Sequence, residues 1–106
     1  MGGCIYWSEL WPNVGALDGS NTRNILYSPE MKYELIEIVF KPLGNLLGFE
    51  IRTWEEYDLD MVDIPYLIEA LKVAQTDKEI ILQWLLRATE FTKLALELNK
   101  ELSFTV

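Results

Sequence analysis

Between Arg52 and Lys72 the chain carries no basic residue, and within that interval Glu55, Glu56, Asp58, Asp60 and Asp63 are interleaved with large apolar side chains. Carboxylates at this density can do three kinds of chemistry. A pair can act as general acid and base if burial raises one pKa. Several can hold a hard cation through oxygen ligands. Or they can stand in water and present a negative field to a basic partner. The first use needs burial, and a segment this charged is expected to stay solvated. For the second, Asp58-x-Asp60-x-x-Asp63 opens like a calcium loop but places Asp63 where the turn glycine belongs. The third needs only charge and a few rings to anchor it. Trp54, Tyr57 and Tyr66 flank the acids, and aromatic anchors among clustered charge suit a protein-binding surface. The candidate partner-binding residues are therefore Trp54, Glu55, Glu56, Tyr57, Asp58, Asp60, Asp63 and Tyr66.

Other catalytic apparatus is missing from the composition. The chain has no histidine, the usual base of nucleophilic triads and the commonest transition-metal ligand. Its one cysteine, Cys4, has no histidine to activate it, and one cysteine without histidine cannot build a zinc cage. No catalytic residue, metal or cofactor is assigned, and the chain is not expected to be an enzyme.

The totals narrow the partner. Formal net charge is −8 over 106 residues. Residues 29–63 hold −6 of it, and the stretches on either side hold −1 each. Phosphate would meet repulsion without a basic face to offset it, so direct nucleic-acid binding is not expected. A basic protein, such as a toxin or nuclease, fits the field. No apolar run approaches the roughly 20 residues of a membrane span. The N-terminus lacks a basic region followed by an apolar one, so a cytoplasmic location is expected. The opening Met-Gly-Gly-Cys is not followed by Ser or Thr at the sixth position, where Tyr6 stands, so it does not complete a myristoylation signal.

The elements that must position these residues form a single domain, 1–106. Cys4-Ile5-Tyr6-Trp7 reads as a strand. Residues 12–24, rich in Asn and Gly, read as an irregular connection with no phosphate-cradling signature. Residues 29–48 support two readings. Ser28-Pro29-Glu30 and the stripe Glu30, Glu34, Glu37, Lys41 suggest a helix. The β-branched and aromatic run 34–40, the Gly-Asn connection and the run 49–54 favour an antiparallel hairpin, which is the expectation. Farther on, Asp63 and Pro65 predict a helix start with Leu67, Ile68, Leu71 and Ala74 inward. Thr76 and Glu79 predict a capping box opening a helix over about 77–101. Its inward face would be Ile81, Trp84, Leu85, Ala88, Phe91, Ala95, Leu98 and Leu102. Ile80, Leu82, Leu86, Leu94 and Leu96 widen that face, and their burial within the domain is expected. The tail 103–106 is too short to place.

The expected fold is α+β, a small antiparallel sheet from the N-terminal half packed by two C-terminal helices. Its alternative is a mainly helical fold with 29–47 as a Pro42-kinked helix. The expected function is an acidic binding or inhibitor module for a basic partner. A bacterial immunity protein that blocks a toxin is the concrete form, by physical analogy and without a family motif. The alternatives are a small carboxylate enzyme or ligand-binding domain, and a homodimeric structural subunit.

Overall fold

The computed structural model describes residues 2–8, 22–53 and 55–106. The chain's last strand lies inside the sheet. Strands β1 (Gly3–Ser8), β2 (Thr22–Tyr27), β3 (Glu56–Leu59) and β4 (Leu102–Thr105) form one antiparallel sheet in the order β2-β1-β4-β3. β4 pairs Phe104 with Ile5 on one side and with Tyr57 on the other. The tail thus joins the N-terminal strands to the acidic strand, and Val106 remains buried beyond it.

The sheet, with helices against it, is the α+β fold that the sequence predicts. The hairpin over 34–54 is not formed. Helix α1 (Pro29–Leu35), a π-helical segment (Ile36–Phe40) and helix α2 (Lys41–Leu47) run on continuously, since Leu35, Ile36, Phe40 and Lys41 all have right-handed helical dihedrals. Burial explains why β-prone residues are helical here. Met31, Leu35, Val39 and Leu43 are buried at intervals of four, and so are Lys32, Ile36 and Phe40. A strict repeat of four drifts about 40° per step on a helix of 3.6 residues per turn. The wider π turn absorbs that drift and keeps the stripe on the core. It also accommodates Pro42. The Lys41 N–H reaches back to the Ile36 carbonyl, and Pro42 enters the first turn of α2, where it has no helical donor to lose. The helix of the alternative reading therefore exists, but within an α+β architecture.

Two further helices, α3 (Ile64–Val73) and α4 (Glu79–Glu97), pack on each other, and Trp84 of α4 reaches β2. The start of α3 is the expected one at Asp63 and Pro65, whereas the expected cap of α4 does not form. Asp63 occupies the N-cap position of α3 without a side-chain capping bond. The Thr76–Glu79 box does not form either, because Lys78 is the N-cap residue of α4. The Thr76 hydroxyl instead donates to Glu34 and accepts from the Lys78 N–H, while Glu79 accepts from Gln83. At the far end, Asn99 takes φ 57°. The Lys100 N–H then reaches the Ala95 carbonyl at 2.9 Å and the Asn99 N–H reaches Leu96 at 3.2 Å, a Schellman cap. This ends α4 before residue 101 and turns the chain into β4. Gly48, at φ 84°, ends α2 in the same left-handed region.

The expected inward face of α4 is buried at Ile81, Trp84, Leu85, Ala88 and Ala95, but Leu98 is exposed and Leu102 belongs to β4. Contrary to the expected burial, Ile80, Leu82, Leu86 and Leu94 are also exposed. In the core, Phe49, Tyr57, Phe104 and Phe40 stack in a line with centroids 4.9–5.3 Å apart. Tyr27 continues the line from Phe40 to an edge-on Trp84 at 5.6 Å. Offset stacks of this kind add to the stabilisation from burial alone.

Candidate binding surface along the acidic strand

Side chains alternate across a strand, and β3 divides its residues sharply. Tyr57 and Leu59 face the helices: Tyr57 stacks between Phe49 and Phe104, and Leu59 is fully enclosed. Glu56 and Asp58 therefore face the other side of the sheet. The pairing registers align that side into two rows. One row runs Leu26, Cys4, Thr105, Glu56, and the other Asn24, Tyr6, Ser103, Asp58. All eight side chains are exposed or half-buried. Within the rows, the Ser103 hydroxyl donates to Asp58 at 2.6 Å, and Cys4 Sγ lies 3.7 Å from Thr105 Oγ1. This open face was not read from the sequence beyond Glu56 and Asp58. The alternation of Ser103, Phe104, Thr105 and Val106 was its available signal.

The remaining candidates lie around the strand ends. Glu55 is exposed and its carbonyl accepts the Val106 N–H. Asp60 is exposed, and its carbonyl accepts the N–H groups of Asp63 and Ile64 in the turn into α3. Asp63 is half-buried, and Tyr66, in the first turn of α3, is 47% exposed. Tyr57 is half-buried, and its hydroxyl accepts from the Arg52 N–H and donates to the Glu50 carbonyl. Its ring and hydroxyl hold segment 49–52 against the sheet. Trp54 lies outside the described residues, as do Trp11 and most of the 12–24 connection.

Electrostatically, the segment is a run of carboxylates that the described ion pairs do not reach. The described ion pairs join Lys41 to Glu37, Arg52 to Glu50, Lys78 to Glu34 and Lys93 to Glu90. Among the described residues, none joins Glu55, Glu56, Asp58, Asp60 or Asp63. Arg52, the nearest base in sequence, turns back to Glu50 at 3.3 Å.

Two other places could hold chemistry. Near the α3–α4 turn, an open hollow of about 510 Å³ is lined by Glu34, Ile38, Gln75, Thr76 and Asp77. The Lys78 ammonium, 2.9 Å away, and then the Thr76 hydroxyl hold the Glu34 carboxyl below its ordinary value. Glu30 is lowered too, first by a backbone N–H bond and then by Ser28. Both shifts run opposite to the one a general acid requires. Between α3 and α4, a groove of about 300 Å³ exposes Leu82 and Leu86 beside Lys72 and Lys93. Among the described residues, no group of three or more His, Cys, Asp or Glu side chains is placed to hold a metal ion. No helix among them is long and apolar enough to cross a membrane.

No protein-family model, curated protein or solved structure matches the chain.

Proposed function

We propose that this chain is an acidic binding module that neutralises a basic protein, in its most concrete form an immunity protein acting on a toxin or nuclease. The observation that carries this reading is the clustering of five carboxylates within 55–63, none of them in an ion pair among the described residues. The chain's described ion pairs lie at Glu34, Glu37, Glu50 and Glu90, leaving the carboxylates of 55–63 exposed or half-buried outside such pairs. Glu55, Glu56, Asp58 and Asp60 steer the partner and pair with its Lys or Arg groups, and Tyr66, in the first turn of α3, supplies an exposed ring. Steering of this kind speeds association by about 10- to 1,000-fold and fades as salt screens the field.

Capture from the native host at low and high salt tests the reading, with the triple variant Glu55→Lys/Glu56→Lys/Asp58→Lys in parallel. A basic protein retained at low salt, weakened at high salt and lost with the variant is the expected result. Retention that ignores both salt and charge reversal, or no basic partner at all, overturns it.

Association of two copies is a second reading, favoured by exposed Val73, Leu82 and Leu86 near the α3–α4 groove. Light scattering over a concentration series tests it, and a constant monomer mass excludes it.

A further inference from the structure

The two edges of the sheet differ in what their backbones can still bind. In an antiparallel ladder, successive residues turn their N–H and C=O groups alternately toward one neighbour and the other. The Val106 N–H donates to the Glu55 carbonyl at 3.1 Å. Glu55, Tyr57 and Leu59 thus face β4, and the backbones of Glu56 and Asp58 face outward. Carrying the alternation through β4 and β1 turns Asn24 and Leu26 outward from β2. On that edge the Leu26 carbonyl already accepts the Trp84 indole N–H at 2.8 Å. On the β3 edge, no backbone bond among the described residues reaches Glu56 or Asp58 from beyond the sheet.

We propose that the outer edge of β3 takes an extended basic segment of a partner protein as an added antiparallel strand, with Lys or Arg at alternate positions opposite Glu56 and Asp58. The proposal rests on the basic-partner reading above and adds the mode of contact. Strand addition draws its affinity from main-chain hydrogen bonds and its specificity from alternate side chains. Glu56 and Asp58 offer both at once. Their backbones point out from the edge, while their carboxylates lie on the open face, directly across from every second residue of the new strand. Opposite charges at such cross-strand positions are favourable. Charge also selects against a second copy of this chain, because pairing β3 with β3 sets carboxylate against carboxylate. The β2 edge lacks this match: Asn24 and Leu26 carry no charge, and Trp84 holds one of the outward carbonyls.

The test uses the full chain and a short peptide of alternating Lys and Thr at low salt. Two further peptides carry backbone N-methyl groups, one on every Lys and the other on every Thr. In antiparallel register the Lys amides face the edge and the Thr amides face away. Methylating Lys should weaken binding by at least about tenfold, and methylating Thr should change it by no more than about twofold. The Glu56 and Asp58 amides should also gain protection from hydrogen exchange when the unmodified peptide binds. Binding that is equal for the two methylated peptides, or that leaves both amides unprotected, overturns strand addition and leaves the basic-partner reading standing. No binding by the unmodified peptide, with a basic partner still captured, overturns the edge as the docking site. Failure of both peptide binding and partner capture overturns both readings.

Discussion

The Trp84 indole donates to the backbone carbonyl of Leu26 at 2.8 Å, tying α4 to the outermost strand. The ring is fully buried and meets Tyr27 edge-on at 5.6 Å. One side chain thereby fills the core and satisfies an edge carbonyl. Trp84→Phe keeps most of the ring but removes the donor, and it should cost about 1–3 kcal/mol. A urea midpoint that falls at unchanged slope is the expected signature. An unchanged midpoint would deny the bond its role.

Phe104 is the crossing point of the fold, stacked on Phe40 at 4.9 Å and on Tyr57 at 5.3 Å, from a strand hydrogen-bonded on both sides. Truncation to Ala leaves a cavity that the rigid strands around it fill poorly. Phe104→Ala should destabilise by about 3–5 kcal/mol in the same titration. A loss no larger than that of an exposed substitution would show that the tail is peripheral to the core.

A side chain at residue 3 would strike two groups that meet there. A Cβ on Gly3 would collide with the Thr105 carbonyl oxygen and the Tyr27 hydroxyl, which hydrogen-bond to each other beside it. Relief requires moving β4 or the Tyr27 ring. Gly3→Ala should cost about 1–3 kcal/mol, read from thermal or chemical unfolding.

The contact between α1 and the α3–α4 turn makes stability depend on pH at both extremes. Glu34 is lowered from 4.5 by Lys78 and then Thr76, and Lys78 is raised from 10.5 mainly by Glu34. A lowered carboxyl contributes stability that is present above 4.5 and lost as pH falls through its folded value. The raised ammonium contributes below 10.5, and this is lost as pH rises through its folded value. Glu34→Gln should flatten the melting temperature on the acid side, and Lys78→Met should flatten it on the alkaline side. Parallel curves for wild type and both variants would disprove the coupling.

Charge on the acidic strand should bear on binding and leave folding nearly untouched. Glu55 and Glu56 are exposed and take part in no ion pair among the described residues. The double variant Glu55→Lys/Glu56→Lys should therefore stay within about 0.5 kcal/mol of wild-type stability. Partner retention at low salt should fall sharply in the same protein. A large stability loss would mean that these carboxylates serve the fold.

By itself the sequence determined the elements whose signals are local. The strand at residues 4–7, the helix start at Asp63 and Pro65, the buried stripe of Ile81, Trp84, Leu85, Ala88 and Ala95, and the exposed acids of 55–60 all follow from spacing, turn chemistry and charge. What it left open was decided at long range. The run 34–40 has the composition of a strand, but its apolar residues recur every four positions, and burial against sheet and helices selected a π-widened helix over β propensity. Thr76 and Glu79 spell a local cap, yet Glu34 lies 42 positions away in sequence and takes the Thr76 hydroxyl. Tyr57 reads as an anchor beside acids, and only its pairing with Phe104 shows the ring enclosed between two others. The tail carried almost no local signal because a four-residue strand gains its stability from its neighbours. β4 became legible only when β1 and β3, distant in sequence, closed on either side of it.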